Sequence, residues 1–175
     1  MNTFKLSKLI SIFEKKAQAL PSDVQSTNSI SSDETSAFLQ HAEMTAKTAE
    51  EVFNWAERMV DPAVQTDQGQ INTFTYSREM RDNSANFNNK AREFIESTDD
   101  NKSVSSIDSL FNSMMGAYNN LTGPEQLDDQ WVAENQQFEL AQDMKQMQGS
   151  MQYMEQYIQK QKNVETNTAN EPQLP

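Results

Sequence analysis

The sequence contains one histidine, His41, and no cysteine, and these two counts restrict the chemistry open to the chain. Without cysteine there is no disulfide, thiolate nucleophile or cysteine metal site. A di-iron bundle needs Glu-x-x-His pairs on two helices, which a single histidine cannot supply. No nucleophile motif accompanies His41, so we interpret it as an incidental surface or half-buried side chain. We therefore predict a protein that is not an enzyme, with no cofactor and no metal.

Two other kinds of ligand site lack the residues that they need. Four scattered glycines form no glycine-rich phosphate loop. Calcium loops place Asp at alternating positions around a central Gly, and residues 61–70 and 99–103 do not follow that order. The acidic pairs Asp128-Asp129 and Glu50-Glu51 are most simply solvated helix faces. The polar residues thus indicate surface and not a reaction centre.

A row of apolar residues in the C-terminal part of the chain is spaced 4, 3, 4, 3 and 4, which is typical of a heptad repeat. Methionine is flexible and polarizable, so the row could be an adaptable docking surface for another helix or an ordinary gap-filling core. Copper binding is disfavoured because no His or Cys joins the row. We name it the methionine seam: Leu140, Met144, Met147, Met151, Met154 and Ile158.

Residues 1–20 combine an apolar stripe with four lysines and one glutamate, in a chain whose net charge is −12. Leu6, Leu9, Ile10 and Phe13 lie on one helical face, which we name the N-terminal stripe. The charge contrast favours a separate docking element, although the segment could instead fold back onto the acidic body. A membrane surface is possible but not favoured, because such helices usually carry more basic charge and more apolar area. We predict partner binding by Leu6, Leu9, Ile10, Phe13, Met144, Met147, Met151, Met154 and Ile158.

The elements that would position these residues follow from periodicity and from start and stop signals. Ser31-x-x-Glu34 matches a capping box at the start of a helix over 33–60. Counting residues 1–20 as the first helix and 33–60 as the second, we expect a third helix over 73–97. A break is possible at the poor helix formers of 81–86. Ser105 is predicted to cap a fourth, and a fifth should run from Pro124 to about Lys162.

The composition supports helices and little else. Only 35% of the residues are hydrophobic, and four glycines and five prolines are too few for an all-β chain with many tight turns. We predict an all-α fold: an elongated bundle of about five helices with a long, heptad-patterned C-terminal helix. Its parts are a basic amphipathic docking helix (1–20), a linker (21–32), the helical bundle (33–162) and a flexible polar tail (163–175).

Charge and hydropathy restrict the function. An acidic chain is a poor match for nucleic acid as its main partner, because phosphate binding needs clustered Lys and Arg. No apolar run is long enough for a membrane span, so we expect a soluble protein, with its compartment open. We predict a structural or interaction subunit of a large assembly, for example a virion such as a phage particle, that packs as a homo- or hetero-oligomer. The alternative is a small acidic adaptor or chaperone that holds a client on its methionine-rich surface.

Overall fold

The computed structural model describes residues 29–59, 68–122 and 134–170. These residues form four α-helices and contain no strand, so the all-α prediction is confirmed. The predicted number of about five helices is not reached within them, and the predicted helix over 1–20 lies outside them. The helices are α1 (Ser32–Met59), α2 (Gln68–Glu96), α3 (Ser105–Leu121) and α4 (Glu134–Ala169).

The first helix begins where the capping box predicts. Ser31 Oγ accepts the Glu34 backbone N–H at 3.1 Å and lies 3.3 Å from the Glu34 carboxylate. This contact satisfies one of the backbone donors that a helix start leaves without an intrahelical partner. The predicted bounds of α1 are within one residue of those observed at both ends.

Helix α2 is longer and more regular than its sequence indicates. It begins five residues before the predicted start and runs without the break that we considered at 81–86. Ser84 is fully buried there, and its hydroxyl donates to the Met80 carbonyl at 2.6 Å. Because the flanking Phe87 and Ala91 are also buried, packing outweighs the weak helix propensity of this stretch.

The start of α3 is correctly predicted, but its cap is not Ser105. The capping position is Val104, which offers no side-chain hydrogen bond, and Ser105 is already helical. The Glu165 carboxylate of α4 takes over this role, accepting the Val104 N–H at 2.8 Å and the Ser103 hydroxyl at 3.1 Å. A capping residue from a distant helix has no local sequence signal.

The C-terminal helix continues to Ala169, so the prediction of a flexible tail from Asn163 is wrong for its first seven residues. Glu165 and Lys162 hold this end against α3, Lys162 through an ion pair with Asp108 at 2.8 Å. The 36 residues of α4 span about 54 Å. Residues 123–133, which include the predicted start at Pro124, and 171–175 lie outside the described part of the chain.

Neighbouring helices run antiparallel, and each packs on the next in chain order, with α4 returning to α1. On α1 and α4, Glu34 pairs with Lys160 near one end and His41 with Ser150 further along. On α1 and α2, Phe38 meets Phe87 and Phe53 meets Phe74. The described part is therefore an up-down-up-down four-helix bundle.

The core is filled by aromatic, methionine and alanine side chains. Phe87 lies at its centre, with ring centroids 6.0 Å from Phe38 of α1 and 5.7 Å from Phe111 of α3. Ala42 and Ala49 of α1 are fully buried, and such small side chains let a neighbouring helix approach closely. The largest contribution from α4 is the methionine seam, whose six members are 0–3% exposed.

The surface of the described bundle is polar. Among the described residues, Met44 is the one large hydrophobic side chain classed as exposed, at 38%. None of the described helices is long and apolar enough to cross a membrane. The apolar faces of these four helices are thus mostly buried within the protein.

Candidate functional site

The interface between α1 and α4 holds a series of polar contacts. Because the two helices run antiparallel, positions early in α1 face positions late in α4. Their hydroxyl, imidazole and charged groups meet along one line at the edge of the core. We name this line the α1–α4 polar strip: Glu34, Thr35, His41, Ser150, Tyr153, Tyr157 and Lys160.

His41 occupies the middle of the polar strip. Its Nδ1 lies 3.0 Å from Ser150 Oγ, and its ring packs against Tyr153 with centroids 4.5 Å apart. Burial lowers the pKa of His41 below its usual value, since a half-buried site disfavours the charged imidazolium. The half-buried position agrees with our interpretation of His41 from sequence.

The outer end of the strip is tied by an ion pair. Lys160 Nζ donates to both carboxylate oxygens of Glu34, at 2.8 and 2.9 Å. This hydrogen bond lowers the pKa of Glu34. Tyr153 also donates its hydroxyl to the Glu34 carbonyl at 3.4 Å, so two residues of α4 hold the first turn of α1.

Tyr157 joins the polar strip to the apolar core. Its ring stacks on Phe38 with centroids 4.1 Å apart, and its hydroxyl lies 3.1 Å from Thr35 Oγ1. Burial raises the pKa of Tyr157 despite that hydrogen bond. The side chain therefore packs as a hydrophobic residue and fixes the relative position of the two helices through its polar end.

A serine next to a histidine is the beginning of a nucleophilic site, and the geometry here can be tested against that chemistry. A serine nucleophile needs access to substrate, a base, and a third group that orients the base. Ser150 is only 3% exposed, and the contacts of His41 with other described residues include no carboxylate. A substrate would reach Ser150 Oγ only after α1 and α4 had separated. In the closed bundle the pair is a contact between helices.

Acidic groups gather further along the same interface. Asp143 of α4 lies near Glu51 of α1 and Glu139 of its own helix. Burial, followed by repulsion from these two carboxylates, raises the pKa of Asp143 to about 6. Nevertheless, no group of three or more potential ligands in the described residues is arranged to hold a metal ion.

The residues that the sequence predicts as partner-binding fall into two sets. Leu6, Leu9, Ile10 and Phe13 lie outside the described residues. Met144, Met147, Met151, Met154 and Ile158 are buried, as an ordinary core would place them. Binding of a partner through these five residues stays a prediction, and it would require α4 to leave its neighbours.

Sequence reasoning missed the pairing of His41 with Ser150. The two residues are separated by 109 positions, so no motif spacing links them. The available signal was weak: Ser150 interrupts a run of Met and Gln next to the buried Met151. Only the antiparallel pairing of α1 with α4 brings the two together.

No family model, no curated protein and no solved structure matches the chain. The four-helix architecture is shared by proteins of many functions, so the function has to be argued from the surfaces and side chains themselves.

Proposed function

We propose that the protein is a non-enzymatic structural or interaction subunit of a large protein assembly, with a virion such as a phage particle as the assembly. The observation that supports this proposal is the burial of the apolar side chains along the four described helices. Met44 is the one large hydrophobic side chain that they leave exposed. We assign the apolar docking area to the part of the chain that precedes α1, on the strength of its sequence pattern.

The N-terminal stripe supplies that docking area in our proposal. Leu6, Leu9, Ile10 and Phe13 would enter an apolar groove on another subunit, with the nearby lysines meeting acidic residues at its rim. Such a helix-in-groove contact needs only one amphipathic face. Because the described residues offer no matching exposed apolar patch, we place the receiving groove on a partner subunit.

The same proposal includes a finer description of the fold. Residues 1–20 would form an additional amphipathic helix, which brings the total to about five. The methionine seam would pack against its neighbours in the manner of heptad positions a and d, in a homo- or hetero-oligomer. Support comes from its spacing and from the burial of all six members.

The second candidate is an acidic adaptor or chaperone that holds a client on the methionine seam. Methionine side chains can repack against different partners, which suits this role. The seam is at most 3% exposed, so a client would bind only to an opened form of the bundle. A free dimer that captures unfolded clients would favour this candidate, whereas fixed stoichiometry within a particle would count against it.

The N-terminal stripe gives a direct test. A tagged full-length chain, expressed in its natural source, should purify natively as part of a complex of defined stoichiometry. The double variant Leu9→Asp with Phe13→Asp should lose those partners while its circular dichroism and melting temperature stay unchanged. Met44→Asp, which adds a charge to the bundle surface, is the matched control and should retain them. A monodisperse wild-type monomer that binds nothing would refute the proposal.

A further inference from the structure

The α1–α4 interface contains the one histidine of the chain at its centre, and this placement has a consequence for acid conditions. We propose that protonation of His41 loosens the pairing of α1 with α4, so that mild acid opens this side of the bundle. The proposal concerns a conformational device of the bundle and does not depend on the proposed function.

Histidine is the one side chain whose ordinary pKa lies between pH 5 and 8. Protonated imidazole donates from both ring nitrogens, so Ser150 Oγ could then only accept from it. Ser150 is almost completely buried, and its own proton would lose the imidazole as an acceptor. A positive charge would also arise at a half-buried position against the Tyr153 ring.

Among the described residues, no free countercharge faces His41. On α4, Tyr153 is in ring contact with His41, and Lys160, further along the polar strip, is paired with Glu34. On the α2 side, Arg92 approaches Glu43 at 3.9 Å, so this nearby carboxylate also has a cation partner. Burial is accordingly the cause that lowers the pKa of His41.

The direction of the effect on stability follows from the lowered pKa. A histidine whose folded-state pKa is below its unfolded value, about 6.5, favours the folded state when it is neutral. This contribution is fully present above about pH 6.5 and is lost as the pH falls through the lowered value. The pairing of α1 with α4 should therefore weaken between pH 7 and 5.

Asp143, on the same interface, changes the stability of the helix pairing in the opposite direction as the pH falls. The pKa of Asp143 is raised to about 6, so falling pH relieves the repulsion around it. Glu34, with its lowered pKa, titrates only below this range. An Asp143→Asn background removes the opposing contribution and leaves His41 as the titrating group under test.

Hydrogen exchange of the full-length chain tests the proposal at the interface itself. In Asp143→Asn protein, amides of residues 37–45 and 146–154 should lose protection at pH 5 relative to pH 7, after correction for intrinsic exchange rates. Amides in the middle of α2 should lose less. The same protein carrying His41→Gln should show no such pH-dependent loss at either segment. If amide protection in these two segments depended equally on pH with and without His41, the proposal would be overturned.

A direct titration keeps the test valid even if His41→Gln folds poorly. The wild-type chain has a single imidazole, whose ring proton resonances can be followed by NMR without any substitution. We expect the midpoint of the imidazole titration to lie below the ordinary histidine pKa of about 6.5. A midpoint at or above that value would show that the folded bundle tolerates the charge, and the proposal would fail.

Discussion

Asp143 shows how a single carboxyl can oppose the packing around it. It lies half-buried between α4 and α1, close to Glu51 and Glu139, and its pKa is raised to about 6. Near pH 7 the folded protein therefore holds a charge that burial and two neighbours disfavour. Removing that charge should stabilise the fold.

We predict that Asp143→Asn raises the free energy of unfolding at pH 7.5 by about 1 kcal/mol. A larger value is not expected, since the carboxyl is only half-buried and solvent screens part of the repulsion. Because the folded-state pKa lies above the unfolded value, the gain should shrink as the pH falls from about 6 to 4. Urea unfolding of wild type and variant at several pH values measures this difference in the free energy of unfolding.

The exposed Glu155 of the same helix provides the control for this prediction. Its replacement, Glu155→Gln, should change the free energy of unfolding by less than about 0.5 kcal/mol across the same pH range. An Asp143→Asn gain that is independent of pH would show that the charge is not its source.

Among the helices, α3 depends most visibly on a residue from elsewhere. Its first turn has no side-chain cap of its own, and the Glu165 carboxylate accepts hydrogen bonds from Val104 N–H and Ser103 Oγ. A carboxylate at a helix N-terminus also complements the partial positive charge of the helix dipole. The last turns of α4 thus stabilise the start of α3.

We predict that Glu165→Ala lowers the free energy of unfolding by about 1 kcal/mol, the typical effect of losing an N-cap. Thermal or urea unfolding of the full-length chain gives the value. Thr166→Ala, one residue further along α4 and exposed, is the matched control and should cost less. Equal effects of the two substitutions would mean that the contact with α3 contributes little to stability.

The helices differ in how well the sequence predicts them, and the reason is the distance over which each determinant acts. The start of α1 depends on Ser31 and Glu34, three residues apart, and was predicted correctly. The continuity of α2 through 81–86 depends on burial of Ser84 against other helices, and the end of α4 depends on contacts between Glu165 and α3. Such tertiary contacts leave no periodic signal.

The candidate site was less predictable than the fold for the same reason. Apolar spacing in α4 picked out six residues that are buried in the structure, but spacing alone does not say whether such residues face their own chain or a partner. The polar strip was not predicted, because Ser150, Tyr153 and Lys160 acquire their partners only when α1 lies alongside.

On the scale of the whole molecule, the described bundle brings distant parts of the chain together. Each of α1, α2 and α3 packs on the helix that follows it in the chain. In addition, α4 packs on α1, the first described helix. One contact that joins these two helices, between Thr35 and Tyr157, links residues 122 positions apart. The bundle is thus completed by its most distant pair.

That return of α4 to α1 has a consequence for how fast the protein folds. Closing a long loop is entropically expensive, so local helix pairs should form before α1 meets α4. We predict that Ser150→Ala, which removes the hydroxyl at this contact, mainly accelerates unfolding in stopped-flow measurements. Ala91→Gly in α2 should instead slow folding, because α2 pairs early. If Ser150→Ala slowed folding as strongly, the transition state would already contain the joined first and last helices.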